Sequence, residues 1–196
     1  MKSKLLLLAA ALPLAGCISF GAKPPPSLLT LQATSAPAVG AEQNSARTRS
    51  IVIQVPSTPT AIAGTRVPVQ ATPDTIAYIK DAQWSEPPAR LFARLLSDTV
   101  SARSNMVVLS SVQSIGDPSA TLTGELRNFG LDAAARQAVV TYDAALTRAG
   151  KETVEKRRFE ARVPVTAIDP ANAGTALGQA ANQVGVEVAA WVASPN

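Results

Sequence analysis

The chain has 196 residues, a formal net charge of +4, 46% hydrophobic and 16% charged residues, no histidine and one cysteine. A lone cysteine excludes an internal disulfide, so packing alone must hold the fold, and the lack of histidine removes the commonest metal ligand and the usual acid-base group near neutral pH. The totals fit one modest globular domain and argue against an enzyme, while 15 prolines and 4% aromatics point to long connections and few large binding platforms.

In chain order, Met1 to Gly16 has the anatomy of a signal peptide. Lys2 and Lys4 form a positive head, Leu5 to Leu12 an apolar stretch, and small residues follow. A membrane span needs about 20 apolar residues, so this stretch cannot cross a bilayer unaided. Leu14-Ala15-Gly16-Cys17 resembles the lipobox of bacterial lipoproteins. That resemblance implies cleavage after residue 16, lipidation of Cys17 and several acyl chains at one residue; a single chain would bind a membrane only marginally. Ile18 follows the cysteine where the enterobacterial sorting rule would need aspartate for inner-membrane retention, which favours the outer membrane, on its periplasmic face. Loss of residues 1–16 takes two lysines from the +4 and leaves +2, too small and unclustered an excess to expect nucleic acid as a ligand.

Residues 17–27 read as the lipidated cysteine and a tether, because Pro24-Pro25-Pro26 lacks N–H donors and stays extended. Residues 28–196 read as a single domain. Leu28 to Gln32 is an expected first strand, and Ala33 to Ser50 an unusually long polar loop that suggests mobility. Ile51, Ile53 and Val55 alternate up to Pro56, as a buried strand would. Arg66 to Gln70 and Thr75 to Ile79 flank Pro73-Asp74 in hairpin fashion. From Ser85 the period turns helical: Leu91, Phe92, Leu95, Leu96 and Val100 share a face, predicting a helix from about Glu86 to Arg103 with Ser85 as N-cap. Met106 to Leu109 predicts an inner strand. The apolar parity of Leu122 to Leu131 shifts between Leu126 and Phe129, predicting a bulge near Asn128. Val140 to Leu146, a turn at Arg148 to Lys151, and Phe159 to Val165 complete an antiparallel meander with one wet face. The cluster Lys156-Arg157-Arg158 reads as a solvated strand entrance. Asp169-Pro170 opens a last helix running to about Val192, with Leu177, Ala181, Val184, Val188 and Trp191 on one face. Gly174, Gly178 and Gly185 each weaken such a helix by about 1 kcal/mol, which suggests close approach to the protein's own sheet.

No chemistry stands out. Without histidine a serine nucleophile would need lysine or a carboxylate as base, and neither Ser-x-x-Lys nor Gly-x-Ser-x-Gly occurs. The acidic residues are scattered, no phosphate loop is present, and no cofactor or metal is expected.

Ile51-Val-Ile-Gln-Val-Pro56, Arg66, Pro73-Asp74 and Gln83-Trp-Ser-Glu-Pro-Pro88 leading into Leu91 to Leu96 resemble the ABC-type transport auxiliary lipoprotein component family, whose Trp-x-Glu-Pro element is here Trp84 to Pro87. Where the family often has Tyr-x-Leu, this sequence has Leu29-Thr-Leu31. The resemblance implies a mixed α+β fold, a largely antiparallel sheet with two long helices, akin to the anticodon-binding-like or TolB N-terminal class. It also implies a non-catalytic accessory subunit of a transport system built from a permease, an ATPase and a mammalian-cell-entry (MCE) domain protein, associated with lipid movement across the envelope. Trp84, Pro87 and Trp191 are the candidate partner-interface residues, although a tryptophan before a helix also serves to staple it to the core. The alternative is a stand-alone lipid- or hydrophobe-binding lipoprotein whose last helix lines a groove. The sequence is compatible with a homo-oligomer and does not fix one.

Overall fold

The computed structural model describes residues 25–110, 113 and 117–194; the signal peptide, Cys17 and most of the tether lie outside the described residues. Within them the order is β1 (Arg49–Ile53), β2 (Arg66–Thr72), β3 (Thr75–Gln83), α1 (Pro88–Arg103), β4 (Met106–Leu109), β5 (Ala120–Asp132), β6 (Gln137–Arg148), β7 (Val154–Pro164) and α2 (Pro170–Ala193). A 3-10 turn at Thr60–Ile62 precedes β2.

β5 organises the sheet. Its 13 residues span about 40 Å at the usual strand rise, enough to accept two short partners end to end on one edge. β1 lies parallel against Ala120–Leu122, with β4 parallel beyond it; β2 lies parallel against Leu131–Asp132, with β3 antiparallel beyond it. On the other edge β6 pairs antiparallel from Ala120↔Arg148 to Asp132↔Gln137, and β7 pairs antiparallel with β6. The sheet is therefore mixed and largely antiparallel, with two helices on it, as the pattern and the resemblance led us to expect. The β5 register slips between Leu126 and Asn128, the position of the predicted bulge. One extra residue there returns Phe129 and Leu131 to the face already carrying Leu122 and Leu126.

That face is the core. Leu126, Tyr142 and Phe159 stand opposite one another across three strands, and Phe92 of α1 meets Tyr142 edge-on at 5.3 Å. Gly124 makes room for this layer, because a Cβ there would sit 2.7 Å from the Tyr142 ring. The ring crosses β5 and its hydroxyl donates to the Thr123 carbonyl at 2.9 Å. Burial pushes the Tyr142 phenol well above its ordinary pKa, so it remains a neutral donor. The opposite face carries charge: Asp143 takes two hydrogen bonds from Arg158, at 2.6 and 2.7 Å, and Glu160 takes bonds from Arg162 and Thr141.

Three sequence expectations shift in the details. Leu28–Gln32 is not a strand: only Leu29 makes a bridge, parallel to Trp84. Ser85 is not an N-cap: α1 begins at Pro88 with the extended Pro87 as its cap residue, φ −52° and ψ 136°. Consecutive prolines explain this, since each disfavours helical geometry in the residue before it and so keeps Glu86 and Pro87 out of the helix. The α2 glycines do not abut the sheet. A Cβ on Gly185 would meet Leu95 of α1 at 2.8 Å and one on Gly174 would meet Leu29 at 2.9 Å, whereas Gly178 faces open space. The start of α2 is as expected, with the Asp169 carboxylate accepting from the Asn172 amide at 2.9 Å and Pro170 in the first turn.

Candidate functional site

The described residues present two ends and a connecting strap. Residues 28–48 run along the helix layer instead of hanging free. Leu29 is held by its own amide, donating to the Gln83 carbonyl at 2.7 Å, and by its carbonyl, accepting from the Ser85 amide at 2.9 Å. Asn182 of α2 then clasps the strap from both sides. Its side-chain oxygen accepts from the Thr34 amide at 2.7 Å and from the Thr34 hydroxyl at 3.0 Å, while its amide nitrogen donates to the Gln32 carbonyl at 2.9 Å. Farther on, Gln43 donates to the Ser101 hydroxyl and Thr48 to the Asn105 carbonyl. The expected loose loop is thus pinned at three levels, first to α2, then to the last turn of α1, then to the start of β4.

The tether end comprises Leu29 with the first turns of α2, the β5–β6 turn and the tip of the β2–β3 hairpin. The Ala133 amide donates to the Gln70 carbonyl and the Val165 amide to the Arg136 carbonyl, which knits these loops together. Hydrogen bonds from the Asn172 backbone and then from its side chain hold the Asp169 carboxyl below its usual range. The far end gathers the last turn of α2, the start of β1 and the β6–β7 turn. Here the last helix carbonyls are capped by cations: Arg49 donates to Ala193 at 3.2 Å and Arg148 to Val192 at 3.3 Å, as the negative end of a helix favours. Arg148 is 10% exposed and pairs with Glu155 at 2.8 Å.

The candidate interface residues fall in different places. Trp84 is 1% exposed, packed edge-on against Phe129 at 5.4 Å, and its indole N–H has no hydrogen-bond partner. Its ring belongs to the core beneath the strap. Pro87 is half-buried beside it. Trp191 is half-buried at the far end, 5.5 Å from Phe159, over which Arg157 stacks at 4.9 Å. The structure does not bring these three together. Nor is Lys156-Arg157-Arg158 one patch: strand alternation sends Arg158 to Asp143 on the outer face and Arg157 to Phe159 on the helix side. What sequence reasoning missed is the strap's clasp and the two arginines at the end of α2. Contacts such as Thr34 to Asn182, 148 positions apart, leave no local pattern to find.

Chemically the described residues offer grooves. A cavity of about 820 Å³ runs between the strap and the end of α1, lined by Glu42, Arg47, Ser101, Ser104 and Asn105 among others. A second, of about 480 Å³, lies beside α2 under Thr34, with Gln179, Gln183 and Glu187 on its wall. Among the described residues no three His, Cys, Asp or Glu side chains are placed to hold a metal ion, and no helix is long and apolar enough to cross a membrane.

A model of the ABC-type transport auxiliary lipoprotein component family matches residues 29–189. The chain belongs to that family. Membership makes it an auxiliary lipoprotein component of an ABC-type transport system, associated with the cell envelope. Its fold is similar to that of a Xanthomonas campestris protein assigned to the DUF330 family model, with TM-score 0.72, 20% identity, and coverage of 85% of this chain and 94% of that one. It is also similar to an uncharacterised protein at TM-score 0.64 and 17% identity, covering 83% and 99% of the two chains. A hypothetical protein of Chlamydia trachomatis follows at TM-score 0.52 and 8% identity, covering 74% and 95%. These likenesses are of fold. No curated protein matches the chain.

Proposed function

We propose that the chain is a non-catalytic, lipid-anchored subunit that docks an MCE-type ABC transport system at the periplasmic face of the outer membrane, in traffic of lipid or other hydrophobic compounds. The observation that carries this reading is the way the chain after the tether is built into the fold. Leu29 bonds the segment between β3 and α1, and Asn182 clasps it to α2, so a load on Cys17 would pass to the folded domain and not to a slack loop. Family membership supports the transport system, and the lipobox-like Leu14-Ala15-Gly16-Cys17 supports the anchor. The fold gives less support to a lipid-binding role for the last helix. Ala173, Ala176, Leu177, Ala180 and Ala181 are buried in the core, so that face of the helix is already occupied by the protein's own sheet and α1.

Affinity capture from detergent-solubilised envelopes tests the partner. An MCE-domain protein or the permease is the expected prey, and recovery of neither by the acylated protein would sink the docking role. Cys17→Ser tests the anchor separately, by moving the protein to the soluble fraction.

A further inference from the structure

We infer that the tether end of the domain rests on the lipid surface through Leu28, Ile76 and Ile168, so that the Trp191 end points away from the membrane. The inference rests on the lipid anchor proposed above and adds an orientation to it. Among the described residues the exposed large apolar side chains are Leu28, Val39, Val55, Ile76, Val154 and Ile168. Half of them fall at the end where the tether joins. Leu28 precedes Leu29, which packs on Gly174 in the early turns of α2. Ile168 lies two residues before Pro170, in the loop bonded to the β5–β6 turn through Val165 and Arg136. Ile76 stands opposite Gln70, whose carbonyl holds Ala133 of the same turn. Exposed apolar groups scattered singly need no explanation, but three on the end nearest an acylated residue have an adjacent apolar phase to enter.

Tether length favours the same end. Eleven residue steps separate Cys17 from Leu28, at most about 40 Å of chain, and α2 with its 24 residues is about 36 Å long. Bringing the far end to the bilayer would use nearly the whole tether to run back along the domain, whereas the near end is presented at high effective concentration. Asp74, Asp132 and Asp169 outnumber Arg136 among the charges of these loops, so the contact is apolar and needs no anionic lipid.

The full chain, acylated and reconstituted in phosphatidylcholine vesicles, tests this directly. Ile168→Cys and, at the far end, Val154→Cys are each labelled with an environment-sensitive fluorophore, Cys17 being blocked by its lipid, and compared with and without brominated phosphatidylcholine. Quenching several-fold stronger at 168 than at 154, unchanged by salt or by added phosphatidylglycerol and reduced by Leu28→Lys, is the expected result. Equal quenching at the two positions, or more at 154, overturns the orientation even though the protein stays vesicle-bound. Quenching at 168 that disappears in salt overturns the apolar contact. A mass spectrum without acyl chains on Cys17 removes the anchor and the orientation together.

Discussion

The two ends of α2 are secured by different physics. At the far end, two arginines meet helix carbonyls: Arg49, exposed, at Ala193, and Arg148, only 10% exposed, at Val192 while it also bonds Glu155. At the tether end the helix is capped by a solvated carboxylate, Asp169, and overlaid by a strap held through Leu29 and one asparagine. The far end is closed against the core by a largely buried arginine, whereas the tether end is joined to the strap by side-chain and backbone bonds nearer solvent. Local stability follows such differences in burial and in the solvation of hydrogen bonds, so the two ends should respond separately to substitution.

The largest effect is expected at the far end. Arg148→Ala strips Glu155 of a partner and leaves a helix carbonyl without its donor. Breaking a fully buried pair costs about 3–5 kcal/mol, and because Glu155 keeps 26% of its side-chain surface we expect about 2–3 kcal/mol by urea unfolding. A loss under about 0.5 kcal/mol, the range of ordinary surface changes, would make the clamp decorative. Asn182→Ala comes next. Losing its bonds to Thr34 and Gln32 should cost about 1–2 kcal/mol and speed amide exchange in residues 29–35 with no change at 190–193. Equal acceleration at both places would show that the ends are coupled after all.

Much of this organisation was legible, for reasons that are themselves physical. Alternation in β6 and β7, the parity shift at the β5 bulge and the Asp169-Pro170 start of α2 are all set by residues within a few positions of one another. The family resemblance around Trp84-Pro87 was equally local. What was not legible depends on distant chain. Gly174 and Gly178 look alike in sequence, yet a Cβ on one would meet Leu29 and a Cβ on the other open space, a difference set by where residue 29 is seated. Ser85 has the chemistry of an N-cap but is overruled by two prolines, whereas the position of Trp84 just before a helix already points to the core staple that its 1% exposure shows. The use of Arg49 and Arg148 at the end of α2 follows only from how β1 and β6 are placed in the sheet.

The glycine pair offers a smaller and sharper test of the strap. Gly178→Ala, with nothing near its new methyl, should stabilise by about 0.5–1 kcal/mol through helix propensity. Gly174→Ala gains the same propensity but presses its Cβ against Leu29, so its net effect should lie near zero with faster exchange in the strap. If both variants stabilise equally and leave strap protection intact, Leu29 is not seated where the contact places it.

The smallest effect separates the ends by pH. The Asp169 pKa is lowered in the fold by the Asn172 backbone and side-chain hydrogen bonds. A depressed carboxyl contributes stability that is full above its unfolded pKa, about 4, and is lost as pH falls through the lower folded value. Between pH 6 and 5 nothing should change at either end. Below about 4 the cap weakens progressively, and the amide resonances of Asn172 and Ala173 should move, whereas those of Val192 and Ala193, which make no bond to Asp169, should not follow it. Asp169→Asn is the discriminating variant, since asparagine caps a helix about as well as aspartate and carries no titrating group. It should abolish the acid-dependent shift at Asn172 while leaving the Arg148 clamp as it was; a shift that persists would assign the titration to another carboxylate and remove the electrostatic distinction between the ends.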